Sequence, residues 1–151
     1  MASFGLMVAI YMVNLPSVIS NWLPDVMPPI IAPKYQYSIK GQFKCNGAPM
    51  NGLDVKVYEE DPVEDDFLGS DRTGSDGRFA LSGEDYEVPT PGDSVKFYVW
   101  VVHGCVPKTP GNTGCPAEFK YTIPWQYYNG KLFDLGTVEL WNNKVNKYDC
   151  R

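Results

Sequence analysis

Residues 35–45 read Tyr-Gln-Tyr-Ser-Ile-Lys-Gly-Gln-Phe-Lys-Cys, and their alternation decides the fold. Tyr35, Tyr37, Ile39, Phe43 and Cys45 fall on one side, and Gln36, Ser38, Lys40, Gln42 and Lys44 on the other. A period of two with one wet side marks a half-buried β-strand. Further along, Leu53, Val55 and Val57 alternate with Asp54, Lys56 and Tyr58 in a second strand, after a turn-rich run from Asn46 to Gly52. Phe67 to Arg72 and Arg78 to Leu81 follow as two short strands. The Asp76-Gly77 step between them predicts a hairpin, because its tight turn needs positive φ. Val95 to Val102 carries Val95, Phe97, Val99 and Val101 on one face and Tyr98, Trp100 and Val102 on the other. Apolar on both faces, it predicts a central strand covered on both sides by protein or ligand.

Phe119, Tyr121 and Ile123 mark a sixth strand, ended by Pro124, and Phe133 and Leu135 begin a seventh. There the apolar phase moves to Val138 and Leu140, and Gly136 at the change predicts a β-bulge. Seven short strands without a convincing amphipathic helix predict an all-β fold, an antiparallel two-sheet sandwich. The length of 151 residues suits one such domain, expected over 35–151.

Two segments precede it. Residues 1–20 hold no charged side chain and an apolar run from Phe4 to Val13, short for a membrane span but suited to a signal peptide. Val18 and Ser20 are small enough for cleavage before Asn21. Residues 21–34, with Pro24, Pro28, Pro29 and Pro33, read as an extended leader. The expected localisation is secreted and extracellular. Asn-x-Ser/Thr is absent, so N-glycosylation is not expected. A net charge of −5 argues against nucleic acid as a partner, because phosphate neutralisation needs a basic face.

Cys45, Cys105, Cys115 and Cys150 allow two disulfides in three connectivities. The turn-rich segment between Cys105 and Cys115 favours a Cys105–Cys115 pair, leaving Cys45 with Cys150. Without a Cys-x-x-Cys pair and with one histidine, a zinc site is not expected, nor is an organic cofactor. The run from Glu59 to Asp66 contains six carboxylates. Glu60, Asp61, Glu64, Asp65 and Asp66 are the candidate calcium ligands, set against the plainer reading of a solvated acidic loop. Trp125, Tyr127 and Tyr128, before the Asn129-Gly130 turn, are candidate partner anchors, as are Tyr98 and Trp100 on their strand face. The alternative for both sets is simple cover for the core, with a subunit interface as the intermediate reading for Tyr98 and Trp100. His103, the lone histidine, has no second base beside it in the sequence from which a catalytic constellation could be built, so no catalytic residue is assigned.

Residues 38–150 resemble the transthyretin-like family abundant in nematodes. The matching pieces are Lys40 to Cys45, Val55 to Asp61, Asp65 to Gly69, Thr73 to Phe79, Ser82-Gly83, His103-Gly104-Cys105, Phe119 to Pro124, Phe133 to Thr137 and the final Asp149-Cys150. The resemblance implies a secreted prealbumin-like sandwich that works by extracellular binding, to a cell-surface receptor, a lipid or a small apolar ligand, with contact at a membrane surface and oligomer formation both open. Two alternatives stand beside it. One is a hydrolase of the hydroxyisourate hydrolase type, whose additional histidines and C-terminal Tyr-Arg-Gly-Ser are missing here. The other is a structural protein of the extracellular matrix. Docking is expected through the loop of Trp125, Tyr127 and Tyr128, with the Glu59–Asp66 loop nearby.

Overall fold

The computed structural model describes residues 32–88, 94–107, 115–141, 143 and 146–148. The proposed signal peptide and nearly all of the leader lie outside the described residues. Among the described residues nine strands run in chain order: β1 (Lys34–Cys45), β2 (Ala48–Pro49), β3 (Asp54–Glu59), β4 (Asp66–Arg72), β5 (Arg78–Tyr86), β6 (Phe97–His103), β7 (Ala117–Thr122), β8 (Asn129–Glu139) and β9 (Asn146–Tyr148). Seven answer to the expected strands. The two-residue β2 and three-residue β9 are too short for an alternation to show.

One sheet holds β2, β1, β5 and β8, and the other runs β4-β3-β6-β7-β9. The expected two-sheet sandwich is therefore present, and β6 is central as its doubly apolar sequence requires. Tyr37, Ile39 and Phe43 from β1 face Val55 and Val57 from β3, Phe97, Val99 and Val101 from β6, and Phe119 from β7; all of these are buried. Their alternation continues as inward-facing core and outward-facing polar residues, the usual economy of a sandwich.

One pairing departs from an antiparallel fold. β8 lies parallel to β1. A 3₁₀ turn at Trp125–Tyr127 brings the chain from one sheet to the other, and the Tyr128 carbonyl accepts the Gln36 N–H at 2.9 Å. The chain thus enters beside β1 at the same end where β1 begins. Register then slips as predicted. Lys40 and Gln42 of β1 face Asp134 and Thr137 of β8, so two steps meet three, and Gly136 sits in the bulge at φ 73°.

The Asp76-Gly77 turn is not a hairpin. β4 pairs with β3 and β5 with β1, so the turn carries the chain between the two sheets. Gly77 is still required by its geometry. Its φ is 77°, and a Cβ there would stand 2.4 Å from the Phe43 carbonyl oxygen. The local turn signal was sound, but strand partners are chosen by the sheets and not by the turn.

The cysteine pairing also needs correcting. Cys45 is bonded to Cys105, with Cα atoms 5.7 Å apart, and not to Cys150. The inward parity of β6 runs on from Val101 through His103 to Cys105, which is buried and meets Cys45 at the last inward position of β1. The bridge thereby ties one sheet to the other. Cys115 is disulfide-bonded as well, which leaves no Cys105–Cys115 bridge. Cys150 lies outside the described residues.

Candidate functional site

The outer face of the five-stranded sheet carries a row of rings and charges that crosses its strands. Lys56 and Tyr58 of β3, Tyr98 and Trp100 of β6, and Lys120 of β7 stand on it, opposite in direction to the valines of the core. Rings run across the strands. Phe67 meets Tyr58 edge-on at 5.5 Å, Tyr58 stacks with Tyr98 at 5.6 Å, and Trp100 meets Tyr58 edge-on at 6.0 Å. Cross-strand aromatic pairs of this kind stabilise a sheet. Yet Phe67, at 56% exposure, remains open to solvent at the ridge's β4 end.

Charge is woven through the ridge. The Lys120 ammonium lies 3.7 Å from the Tyr98 ring centroid, and Lys56 lies 5.3 Å from that of Trp100. Lys120 also pairs with Glu60 at 2.8 Å, and Lys96 pairs with the same carboxylate at 3.4 Å. These cations, the hydrogen bond from Lys120 first, hold the Glu60 carboxyl below its ordinary range. The β3–β4 loop folds back over the face, where the Tyr98 hydroxyl donates to Asp65 and the Asp61 N–H donates to the same side chain at 3.1 Å. The Tyr98 hydrogen bond keeps Asp65 ionised below its ordinary range. Burial, and then the Asp65 charge, push the Tyr98 phenol upward. Two hollows flank Trp100. One, of about 340 Å³, reaches from Asp65 and Tyr98 to Glu118, and the other, of about 270 Å³, reaches from Leu53 to Val102.

The structure therefore brings Tyr98 and Trp100 together with Glu60 and Asp65, and adds Tyr58, Phe67, Lys56 and Lys120. Of these, Tyr58 and Lys56 were legible as one face of an alternating strand. Lys120 could not be linked to Tyr98 without knowing the β6–β7 register. Among the described residues no group of three or more His, Cys, Asp or Glu side chains stands close enough to hold a metal ion. In the acidic run, Glu60 and Asp65 already have protein partners, and the exposed Glu64 and Asp66 are not gathered around a common centre with Asp61.

Trp125, Tyr127 and Tyr128 separate. Trp125 projects, 75% exposed. Tyr127 packs at 5.0 Å against Phe133, and Tyr128 at 4.6 Å against Phe97. The Tyr128 hydroxyl also accepts the Phe97 N–H at 2.8 Å, in the gap where β7 has already ended. Two of the three anchors thus close the end of the sandwich. His103 is buried at 3% exposure on the inner side of β6.

Comparison with known proteins agrees with this architecture. Residues 40–124 match the model of the Transthyretin-like family. The chain is similar to Transthyretin-like protein 2 of Caenorhabditis elegans, with 32% identity over 115 residues that cover 68% of this chain and 73% of that one. Transthyretin-like protein 5 of the same organism is 32% identical over 109 residues, with the same coverage. Transthyretin-like protein 46 is 33% identical over 112 residues, covering 68% of this chain and 58% of its own. Together with the two-sheet fold and its ordered set of matching segments, these findings make the chain a member of the transthyretin-like family.

Proposed function

We propose that this is an exported extracellular protein that acts by binding another protein and not by catalysis, using the outer face of the five-stranded sheet. The observation that carries the proposal is the aromatic ridge in which the exposed Phe67 and the half-buried Tyr58 and Trp100 stand around Tyr98, itself buried at 6% exposure, laced with Lys56 and Lys120 and flanked by two hollows. Aromatic side chains offer large contact area at low rotamer cost, and hot spots favour them. Alternating rings and charges fit a protein partner better than hydrocarbon, where each charge would need a new counter-charge. A small apolar ligand is less well served, because the 540 Å³ hollow over the other sheet is lined by Lys40, Asp71, Arg78 and Asp134 among other polar groups. Against hydrolysis stands the position of His103, buried within the core and away from these surfaces.

Export is tested by N-terminal sequencing of the secreted chain, expected to start near Asn21; an intact Met1 on soluble cytosolic protein refutes it. The face is tested by capturing the partner from extracellular extract, purifying it, and measuring its affinity for single variants. Phe67→Ala and Trp100→Ala are expected to weaken binding about thirtyfold, as loss of an anchor near 2 kcal/mol implies. Unchanged affinity in both folded variants, with loss in Trp125→Ala, moves the contact to the exposed tryptophan.

A further inference from the structure

The hollow of about 340 Å³ beside Trp100 is lined by Asp65, Tyr98, Trp100, Glu118, Lys120 and Lys147. Strand register gathers them. Trp100 of β6 stands opposite Lys120 of β7, and Glu118 of β7 stands opposite Lys147 of β9. Alternation points all four outward, since Val101 and Phe119, their neighbours in sequence, are buried in the core. Asp65 joins them from the β3–β4 loop, held there by the Tyr98 hydroxyl and the Asp61 N–H. A half-buried indole, two acids and two amines thus surround one open space.

Part of this lining is already engaged, Lys120 with Glu60 and the Tyr98 ring, and Tyr98 with Asp65. The rest is not. Among the described residues Glu118 and Lys147 form no ion pair although their strands place them opposite each other, and neither they nor the Trp100 indole N–H has a hydrogen-bond partner. Asp65 keeps acceptor capacity too, because each of its oxygens takes one donor where two can fit. The charges lining the space cancel, Asp65 and Glu118 against Lys120 and Lys147, and Glu60 behind them is matched by Lys96. No excess charge is left to draw an ion. The lining suits a neutral ligand that donates and accepts on several sides and offers an apolar face to a ring. An amide donates at one edge and accepts at another. A sugar ring carries hydroxyls around its whole rim, each able to do both, and its C–H face meets the negative face of an indole.

We propose that this hollow holds a single sugar ring of a glycan carried by the protein partner, stacked on Trp100 and hydrogen-bonded by Glu118, Lys147 and Asp65. The inference rests on the binding function above and names the chemistry its partner must carry. A volume of about 340 Å³ stands at the small end of ligand sites, ~300–1,000 Å³, and suits one ring better than a chain of them. Tyr98 and Trp100 belong to the ridge and to the hollow alike, so whatever covers one touches the other, which places the sugar on the partner and not free in solution.

The test titrates the full secreted chain with the methyl glycosides of glucose, galactose, mannose, fucose, xylose and N-acetylglucosamine, followed by amide NMR and tryptophan fluorescence. Erythritol, a polyol without a ring, is the control. At least one glycoside is expected to give saturable shifts at positions 65, 100, 118 and 147, and erythritol none. Trp100→Leu and Glu118→Ala should each weaken that glycoside about tenfold or more, the loss that a stacking plate or a charged hydrogen-bond acceptor implies. Glu118 has no polar partner among the described residues, so its variant decides the matter if Trp100→Leu does not fold. Stripping the glycans from the purified partner with glycosidases should weaken its binding by a similar factor, with no further loss in Glu118→Ala. No saturation with any glycoside, equal shifts with erythritol, or unchanged affinity in folded Glu118→Ala would overturn the proposal. Partner binding that survives deglycosylation intact would overturn it too, by making the sugar a separate ligand. The glycoside titration needs no partner, so its failure leaves the ridge standing wherever Phe67→Ala still weakens the partner. Saturable glycoside shifts survive in turn if Phe67→Ala leaves partner binding unmoved, and the ridge reading then falls alone.

Discussion

Replacing Glu59 by glutamine should stabilise the protein at alkaline pH and remove part of its pH dependence. Glu59 is 2% exposed, and burial together with Asp61, Glu87 and Asp85 raises its carboxyl from 4.5 to about 7. Between those values the folded chain holds a proton that the unfolded chain has released. Stability from this group is therefore complete below pH 4.5 and is lost as pH rises through about 7. At about 1.4 kcal/mol for each pH unit between the two values, the full loss is about 3 kcal/mol, an upper figure because an ionised Glu59 can draw in water. Glutamine keeps an acceptor for the Lys96 N–H and never ionises. Urea unfolding of both proteins at pH 5, 6, 7 and 8 measures the effect. The difference in unfolding free energy should grow in favour of the variant as pH rises and flatten near pH 8. Subtracting one protein from the other removes the opposite acid-side trend of Glu60 and Asp65, whose lowered values make them lose stability as pH falls. A difference independent of pH, or one that shrinks as pH rises, would refute the reasoning.

Three further outcomes follow from single contacts. Non-reducing peptide mapping should return Cys45 joined to Cys105 and, because Cys115 is bonded too, Cys115 with the one remaining cysteine, Cys150; replacing Cys45 and Cys105 by alanine should cost about 4 kcal/mol, from a bridge that spans 60 residues. Gly77→Ala should cost about 2 kcal/mol or more by thermal unfolding, because it strains a φ of 77° and drives a methyl to 2.4 Å from the Phe43 carbonyl. Tyr128→Phe should cost about 1–3 kcal/mol by leaving the Phe97 N–H without its acceptor, while Trp125→Ala, at an exposed site, should stay within about 0.5 kcal/mol in the same assay.

The sequence by itself determined everything that depends on period and on local backbone chemistry. Alternation in 35–45 and 53–58 assigned each residue to core or solvent, and Tyr37, Ile39, Phe43, Val55 and Val57 are buried as that pattern demands. Two apolar faces made β6 central, and glycine at a phase change placed the bulge at Gly136. Each of these is fixed by neighbours within a few positions, where pleat and φ leave few choices. Tertiary structure alone decided which strand lies beside which. The Asp76-Gly77 turn therefore joins two sheets, and β8 runs parallel to β1. Cys105, inward by the parity of β6, finds Cys45 across the sandwich instead of its neighbour in sequence. The candidate site divides in the same way. Tyr98 and Trp100 could be placed on one face from their spacing, but their union with Tyr58, Phe67, Lys120 and Asp65 waited on the register of four strands. Trp125, Tyr127 and Tyr128 were alike in sequence, and only packing against Phe133 and Phe97 separated the two that close the core from the one that faces solvent. Glu59 read as one more acid in a solvated loop, because burial arises from chain segments distant in sequence that close over a side chain, and no local pattern records them.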